Sequence, residues 1–299
     1  MRNLQDASST PARRAIVRCV LALTCLASVA MLGESPALAG NTDAFKAHAK
    51  GSAITVDHTA WNSLLQRHVK PGADGVNRVD YGTFKSTGHP ALKAYVSALQ
   101  KVDPATLDRP EQFAFWANLY NAKTIDIVLD HYPVASIRDI TIGGGLFDLV
   151  KKSVGAGGPW KAEVLEVSGR PLSLDAIEHE ILRPIFKDPR VHYSVNCASF
   201  GCPNLPSEAF TGAKLEAQLD AGATAFINHP RGFAVANGAV TASSIYNWFA
   251  ADFGGSAQGV LDHARKYASP GLKAKLDGIT GIDSYQYDWS LNDTAKSKS

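Results

Sequence analysis

The chain has 299 residues, of which 45% are hydrophobic and 19% charged, with 25 glycines, 15 prolines and four cysteines. This composition excludes a collagen-like chain, a disulfide-dense miniprotein and a wholly disordered protein. The formal charge of +2 comes from residues 1–39, because residues 40–299 hold equal numbers of basic and acidic side chains. A neutral body gives no electrostatic reason to expect nucleic acid or an anionic membrane surface as a partner.

The first 39 residues have the pattern of a secretory signal peptide. Basic residues at 13–18 precede an apolar run at 19–32, which is shorter than the roughly 20 residues that span a bilayer. The sequence ALA at 37–39 predicts cleavage after residue 39, and an uncleaved N-terminal anchor is the alternative. We therefore expect a periplasmic or secreted protein with no stable membrane span after cleavage, which keeps only Cys197 and Cys202.

In chain order, the remaining residues predict a helix-rich α+β fold with a small antiparallel sheet. Helices are expected after Asp57, at 92–99, from Pro110 to Pro133, from an Asp175/Glu178 capping box to Pro184, at 215–226 and at 245–249. Short strands are expected at 76–81, 162–167, 170–174, 191–195, 233–236 and 239–242, with hairpin turns at Ser168-Gly169 and Asn237-Gly238. The glycine-rich stretch 143–159 reads as a surface loop, so 40–299 are predicted to form a single domain.

Reactive side chains are concentrated within 25 positions of the chain. Glu178 and His179 are followed by His192, Cys197 and Cys202. A thiol nucleophile needs a base, and the base needs an orienting partner, so these residue types suit nucleophilic catalysis. A helix beginning after Cys197 would favour its thiolate through the positive end of the helix dipole.

Each of these residues also has a structural interpretation. Cys197 and Cys202 could form a disulfide, which would prevent Cys197 from attacking a substrate. Glu178 could serve only as a helix-cap partner, and either histidine could be a buried hydrogen-bonded residue. An extended chain would place His192 roughly 16 Å from Cys197, in which case His179 is the better base.

No cofactor or metal is expected. The same histidines and cysteines include zinc-ligand types, but their spacing matches no common zinc pattern. The triple glycine at 143–145 lacks the spacing of a phosphate-binding loop. Asn118 and Asn121 could be buried hydrogen-bond anchors or donors to an oxyanion.

Several motifs together resemble the family called domain of unknown function 547. They are VDY at 79–81, AFWANLYNA at 114–122, YPVASIRDI at 132–140, LSLDAIEHEILRP at 172–184, DPRVHYSVNCASFGCPNL at 188–205 and YDWSLN at 287–292. The resemblance implies an arrangement similar to a circularly permuted papain-like cysteine peptidase. Its Glu, His, Cys order falls on Glu178, His192 and Cys197, with His179 in the same motif.

Two functions from different classes follow. The first is an exported cysteine hydrolase for an amide, peptide or thioester bond, with Cys197, His192, Glu178 and His179 as candidate catalytic residues. Its partner would be a peptide or small-molecule substrate. The alternative is a non-catalytic periplasmic binding module stabilised by a Cys197–Cys202 disulfide.

Overall fold

The longest helix, α4 (Arg109–His131), is buried along nearly its whole length and organises the core around it. Asp108 caps its first turn by accepting a hydrogen bond from the backbone N–H of Glu111, and Pro110 occupies an early helical position. The helix ends before Pro133, as predicted. A helix surrounded by other elements buries every face, which explains the dense run of aromatic residues in this segment. Its buried amides, Asn118 and Asn121, are hydrogen-bonded to the backbone of neighbouring segments.

The computed structural model describes residues 42–143 and 158–295. The predicted signal peptide and most of the predicted glycine-rich loop lie outside the described residues. All described residues fall within one compact unit.

The described ranges are rich in helix. The α-helices are α1 (Thr59–His68), α2 (Tyr81–Thr87), α3 (His89–Leu99), α4, α5 (Leu174–Ala176), α6 (Arg183–Phe186), α7 (Val191–Ser194), α8 (Leu215–Ile227), α9 (Ile245–Trp248), α10 (Ala257–Tyr267) and α11 (Pro270–Lys275). A π-helical segment, Ile177–Leu182, joins α5 to α6. None of these helices combines the length and hydropathy that a membrane span requires.

Within residues 42–143 and 158–295, the strands form three small sheets. Their strands are β1 (Val69–Pro71), β2 (Asn77–Val79), β3 (Leu165–Val167), β4 (Arg170–Leu172), β5 (Phe233–Ala236), β6 (Ala239–Ser243) and β7 (Ser284–Gln286). The pairs β1–β2, β3–β4 and β5–β6 are antiparallel, and β7 adds to β6 in parallel. The helix-rich α+β prediction is therefore confirmed, with the strands divided among several sheets rather than one.

Both predicted hairpin turns are confirmed by their backbone geometry. Ser168 and Gly169 have φ values of 52° and 73°, and Asn237 and Gly238 have φ values of 50° and 80°. Positive φ at both central residues is the type I′ arrangement that matches the twist of the flanking strands.

The strand predicted at 191–195 is wrong, because residues Val191–Ser194 form the short helix α7. All four of its residues are buried, so the segment lacks the alternation of buried and exposed positions that a half-buried strand shows. Asp188 accepts a hydrogen bond from the backbone N–H of Arg190, which closes a turn directly before the helix.

The predicted capping box of Asp175 with Glu178 is also wrong. Ser173 is the N-cap of this helix, and its hydroxyl accepts a hydrogen bond from the backbone N–H of Ala176. Asp175 lies inside the first turn, and Glu178 lies in the π-helical segment. Glu178 is therefore free of any capping role.

Candidate active site

Glu178 projects from the π-helical segment into the interior. Its carboxylate accepts a hydrogen bond from the hydroxyl of Tyr120 on α4, at 3.1 Å. Burial raises the pKa of Glu178, partly offset by nearby His179 and by the Tyr120 hydrogen bond. A buried carboxyl with a raised pKa is suited to holding or transferring a proton.

His192, on α7, lies between two carboxylates. Its Nε2 is 2.7 Å from Asp252 Oδ2, and its Nδ1 is 3.8 Å from Glu178 Oε1. The imidazole also stacks on Phe249, with ring centroids 4.4 Å apart. Burial lowers the pKa of His192, against the opposing effect of the Asp252 hydrogen bond.

Asp252 was not found by sequence reasoning. It lies 60 positions after His192, and no local motif marks it. Its carboxylate also accepts a hydrogen bond from Nε of Arg183 at 2.6 Å. Hydrogen bonds from His192 and then from Arg183 hold the pKa of Asp252 well below its usual range, so it is an anionic partner for the imidazole.

The two cysteines lie in an irregular segment, residues 196–203, that we call the cysteine loop. Asn121 of α4 holds its start by donating to the carbonyl of Ser194 and accepting from the backbone N–H of Asn196, both at 2.8 Å. Asn196 in turn donates to the carbonyl of Pro203 and accepts from the backbone N–H of Ala198. Asn121 is therefore a buried anchor of the loop.

Ala198 has a left-handed φ of 58°, and no helix begins after Cys197. The predicted helix dipole at the sulfur is therefore absent. A guanidinium contributes positive charge nearby instead. Arg231 donates to the carbonyls of Phe200 and Cys202, both at 2.7 Å, and burial lowers its pKa to about 10.

Cys197 and Cys202 are joined by a disulfide, with their Cα atoms 6.4 Å apart. The hydroxyl of Tyr287 contacts both sulfurs, at 3.0 Å from Cys197 Sγ and 3.1 Å from Cys202 Sγ. It also lies 2.7 Å from the hydroxyl of Ser199. Burial raises the pKa of Tyr287, so its hydroxyl is a neutral donor beside the bridge.

The C-terminal segment closes the cysteine loop from the other side. The backbone N–H of Phe200 donates to the carbonyl of Ser290 at 2.7 Å, and that of Gly201 donates to the carbonyl of Asp288 at 2.8 Å. A Cβ at Gly201 would stand 2.8 Å from the backbone nitrogen of Asp288, so only glycine permits this approach.

A cavity of about 160 Å³ borders Glu178, His192 and the disulfide, whereas Asp252 lies behind His192 and does not line it. Its acidic, basic and sulfur-bearing lining residues are Asp175, Glu178, His179, His192, Cys197 and Cys202. Its aromatic wall comprises Trp160, Trp248, Phe249, Tyr287 and Trp289. Trp248 is 47% exposed although it stacks on Trp289, so apolar surface is accessible at this wall.

All four predicted catalytic residues line this cavity, but they are not hydrogen-bonded to one another. In the described residues, the side-chain partners of Cys197 are Ser199 and Tyr287 besides the bridge. His179 lies at the edge of the cavity, with Nδ1 3.1 Å from Arg183 Nη1 and Nε2 3.6 Å from Asp175 Oδ1. Of the two histidines, His192 is the one held between the carboxylates of Glu178 and Asp252.

A separate cluster of metal-ligand types lies on α3 and α4, away from the cavity-lining residues. His89, Asp126 and Asp130 offer atoms within 4.8 Å of one another. Both carboxylates are already paired with lysine ammonium groups, since Lys93 contacts Asp126 and Asp130 at 2.9 and 2.8 Å. Ion pairing accounts for this cluster.

Residues 104–227 match the family described as "Protein of unknown function, DUF547". The chain carries a DUF547 domain. The match includes Glu178, His192 and the two cysteines, whereas Asp252 and Tyr287 lie outside it. No curated protein and no solved structure matches the chain.

Two motifs of the resemblance lie outside the range matched to DUF547, and they contact each other. The backbone N–H of Val79 donates to the carbonyl of Asn292, and the hydroxyl of Tyr81 donates to the side chain of Asn292, both at 2.8 Å. The motif at 287–292 also contains Tyr287, so the sequence marked this position, although it gave no indication of the contact with the disulfide.

Proposed function

We propose that the cavity is the active site of a cysteine hydrolase that cleaves an amide, peptide or thioester bond. The observation that carries the proposal is that one cavity is lined by the buried imidazole of His192, the carboxyl groups of Asp175 and Glu178, and Cys197. The disulfide prevents attack by Cys197, so the proposed active form is the one in which the bridge is reduced.

In this proposal, Asp252 orients the base. The ionised carboxylate of Asp252 accepts the Nε2–H of His192, which leaves Nδ1 without a proton and able to accept one from Cys197. The Cys197 thiolate then attacks the substrate carbonyl, and the imidazolium returns its proton to the leaving group. Glu178, on the Nδ1 side at 3.8 Å, would stabilise the imidazolium and hold the Tyr120 hydrogen bond.

The aromatic wall bears on the class of substrate. Exposed indole surface next to the imidazole favours an apolar or flat group on one side of the scissile bond. The proposal includes a papain-like, circularly permuted arrangement, because Glu178, His192 and Cys197 follow one another in that order along the chain.

Cys202→Ser provides the decisive test, because it releases Cys197 as a permanent thiol. We expect this variant to react with iodoacetamide at neutral pH and to release nitrophenolate from p-nitrophenyl acetate in a stoichiometric burst, leaving an acetyl group on Cys197. Adding His192→Asn should slow both reactions at least tenfold by removing the base. Cys197→Ser, which leaves Cys202 free, is the matched control and should show no burst.

A free but unreactive Cys197 in a folded Cys202→Ser variant would exclude the hydrolase. That result would leave the second candidate, a non-catalytic binding module, which the bridge itself favours because it ties together the two ends of the cysteine loop. In a binding module, loss of the bridge would lower the stability of the fold, and ligand binding would still depend on the aromatic wall.

We also propose that the protein is exported, on the basis of the basic and apolar pattern of residues 1–39. N-terminal sequencing of the protein recovered from its native host should begin at Gly40. Recovery of a chain that still begins at Met1 would contradict cleavage after residue 39 and favour the uncleaved N-terminal anchor.

A further inference from the structure

We propose that the Cys197–Cys202 bridge is a site of thiol–disulfide exchange. A low-molecular-weight thiol would enter the cavity, attack Cys197 and expel Cys202. This deepens the proposed hydrolase, because its consequence for activity rests on Cys197 being the nucleophile. The exchange itself is inferred from the exposure of the two cysteines and from the contacts of their sulfurs.

The two sulfurs differ in access. Cys202 is 3% exposed, whereas Cys197 is only partly buried, and both line the cavity. The cavity is open to solvent, and its volume of about 160 Å³ admits the thiol-bearing arm of a small molecule but not a folded protein reductant. The incoming thiolate therefore meets the sulfur of Cys197 first.

The two sulfurs also differ in what stabilises them after the bond breaks. Cys202 Sγ receives the backbone N–H of Cys197 at 3.1 Å, whereas Cys197 Sγ lies 3.3 Å from the hydroxyl of Ser199. The hydroxyl of Tyr287 faces both sulfurs, at 3.1 Å from Cys202 Sγ and 3.0 Å from Cys197 Sγ, so it can donate to whichever one departs. The guanidinium of Arg231 donates to the carbonyl of Cys202 as well. Donors and positive charge lower the pKa of a departing thiol, and a leaving group of lower pKa departs faster.

The step balances as an exchange. The thiolate forms a bond to Cys197 Sγ, the Sγ–Sγ bond breaks, and its electron pair stays on Cys202, which departs as a thiolate hydrogen-bonded by Tyr287. The product is a mixed disulfide on Cys197. A second molecule of the thiol then attacks the mixed disulfide, releases oxidised thiol and leaves Cys197 reduced.

The experiment uses the native purified protein and reduced glutathione. Samples are quenched with acid and N-ethylmaleimide, and the modified cysteines are assigned by tandem mass spectrometry. We expect glutathione on Cys197 and maleimide on Cys202. Glutathione on Cys202, or reaction only after denaturation, would overturn the proposal and identify the bridge as a structural staple.

Tyr287→Phe tests the stabilisation of the leaving group. We expect exchange about tenfold slower, the size associated with one hydrogen bond to a charged group. Tyr285→Phe, at an exposed tyrosine two positions earlier, is the matched control and should exchange at the wild-type rate. Equal rates for both variants would refute the role of Tyr287.

Mapping of the adduct in the wild-type protein shows which sulfur the thiol attacks, even if Tyr287→Phe fails to fold. The measurement is also independent of hydrolysis. Exchange at Cys197 together with an inactive Cys202→Ser variant would sustain this inference and refute the hydrolase.

Discussion

One buried and one half-buried histidine make the fold sensitive to mild acid. His58 is 5% exposed, with Nδ1 2.6 Å from the hydroxyl of Tyr95, and burial lowers its pKa to about 4. His263 stacks on Tyr193, and its Nε2 lies 2.8 Å from the Tyr193 hydroxyl. Burial likewise lowers the pKa of His263 to about 4. Both imidazoles are therefore neutral in the folded protein at neutral pH.

The sign of the effect follows from proton binding. The unfolded chain binds a proton at each histidine with a pKa near 6.5, whereas the folded chain resists it until about pH 4. The stability from each neutral imidazole is complete above pH 6.5 and falls as the pH decreases toward 4. At 1.36 kcal/mol per pH unit, each site loses up to about 3.4 kcal/mol, and about 2 kcal/mol of this by pH 5.

Urea unfolding followed by tryptophan fluorescence measures this loss. Between about pH 8 and about pH 5, we expect the free energy of unfolding to fall by about 4 kcal/mol from the two sites together. His58→Gln should reduce that fall by about 2 kcal/mol, because it removes one of the two sites. If the curves of wild type and His58→Gln stay parallel over this range, the reasoning is wrong.

Three further predictions concern the walls of the site. Gly201→Ala should lower the free energy of unfolding by about 1–3 kcal/mol through overlap with the C-terminal backbone, while Gly281→Ala, with open space around its Cβ, should be nearly neutral; equal effects in urea unfolding would contradict this. Asn121→Ala removes both anchoring hydrogen bonds of the cysteine loop and should cost about 3 kcal/mol by the same measurement, so a change under about 0.5 kcal/mol would argue against the anchor role. Tyr120→Phe removes a donor that lowers the pKa of Glu178, so the titration of this carboxyl group should shift to higher pH. Infrared difference spectroscopy measures the titration, and an unchanged midpoint would exclude the contact.

Features encoded over a few residues were predictable from the sequence. The start of α4 follows from Asp108 and Pro110, and the β5–β6 hairpin follows from a dipeptide that tolerates positive φ at both positions. The segment 191–194 was mispredicted because its local composition suits a strand, whereas the preceding turn and burial on all sides determine a helix.

The candidate site was predictable only where its residues are close in sequence. Glu178, His192 and the cysteines lie within one stretch, and their shared cavity agrees with that grouping. Asp252 was missed because the contact with His192 spans 60 positions. Such contacts depend on how helices pack, which neither periodicity nor spacing encodes.

The site is a composite, and this limits what the DUF547-matched segment can do alone. Residues 104–227 supply the cysteine loop and its anchor on α4, but the Asp252 carboxylate, which contacts His192, and the hydroxyl of Tyr287 come from later in the chain. The C-terminal backbone also pairs with the cysteine loop at Phe200 and Gly201. A fragment limited to 104–227 would leave the imidazole without its 2.7 Å partner and the bridge without its hydroxyl contact. The chemistry proposed for Cys197 is therefore a property of the whole folded unit rather than of the motif that contains it.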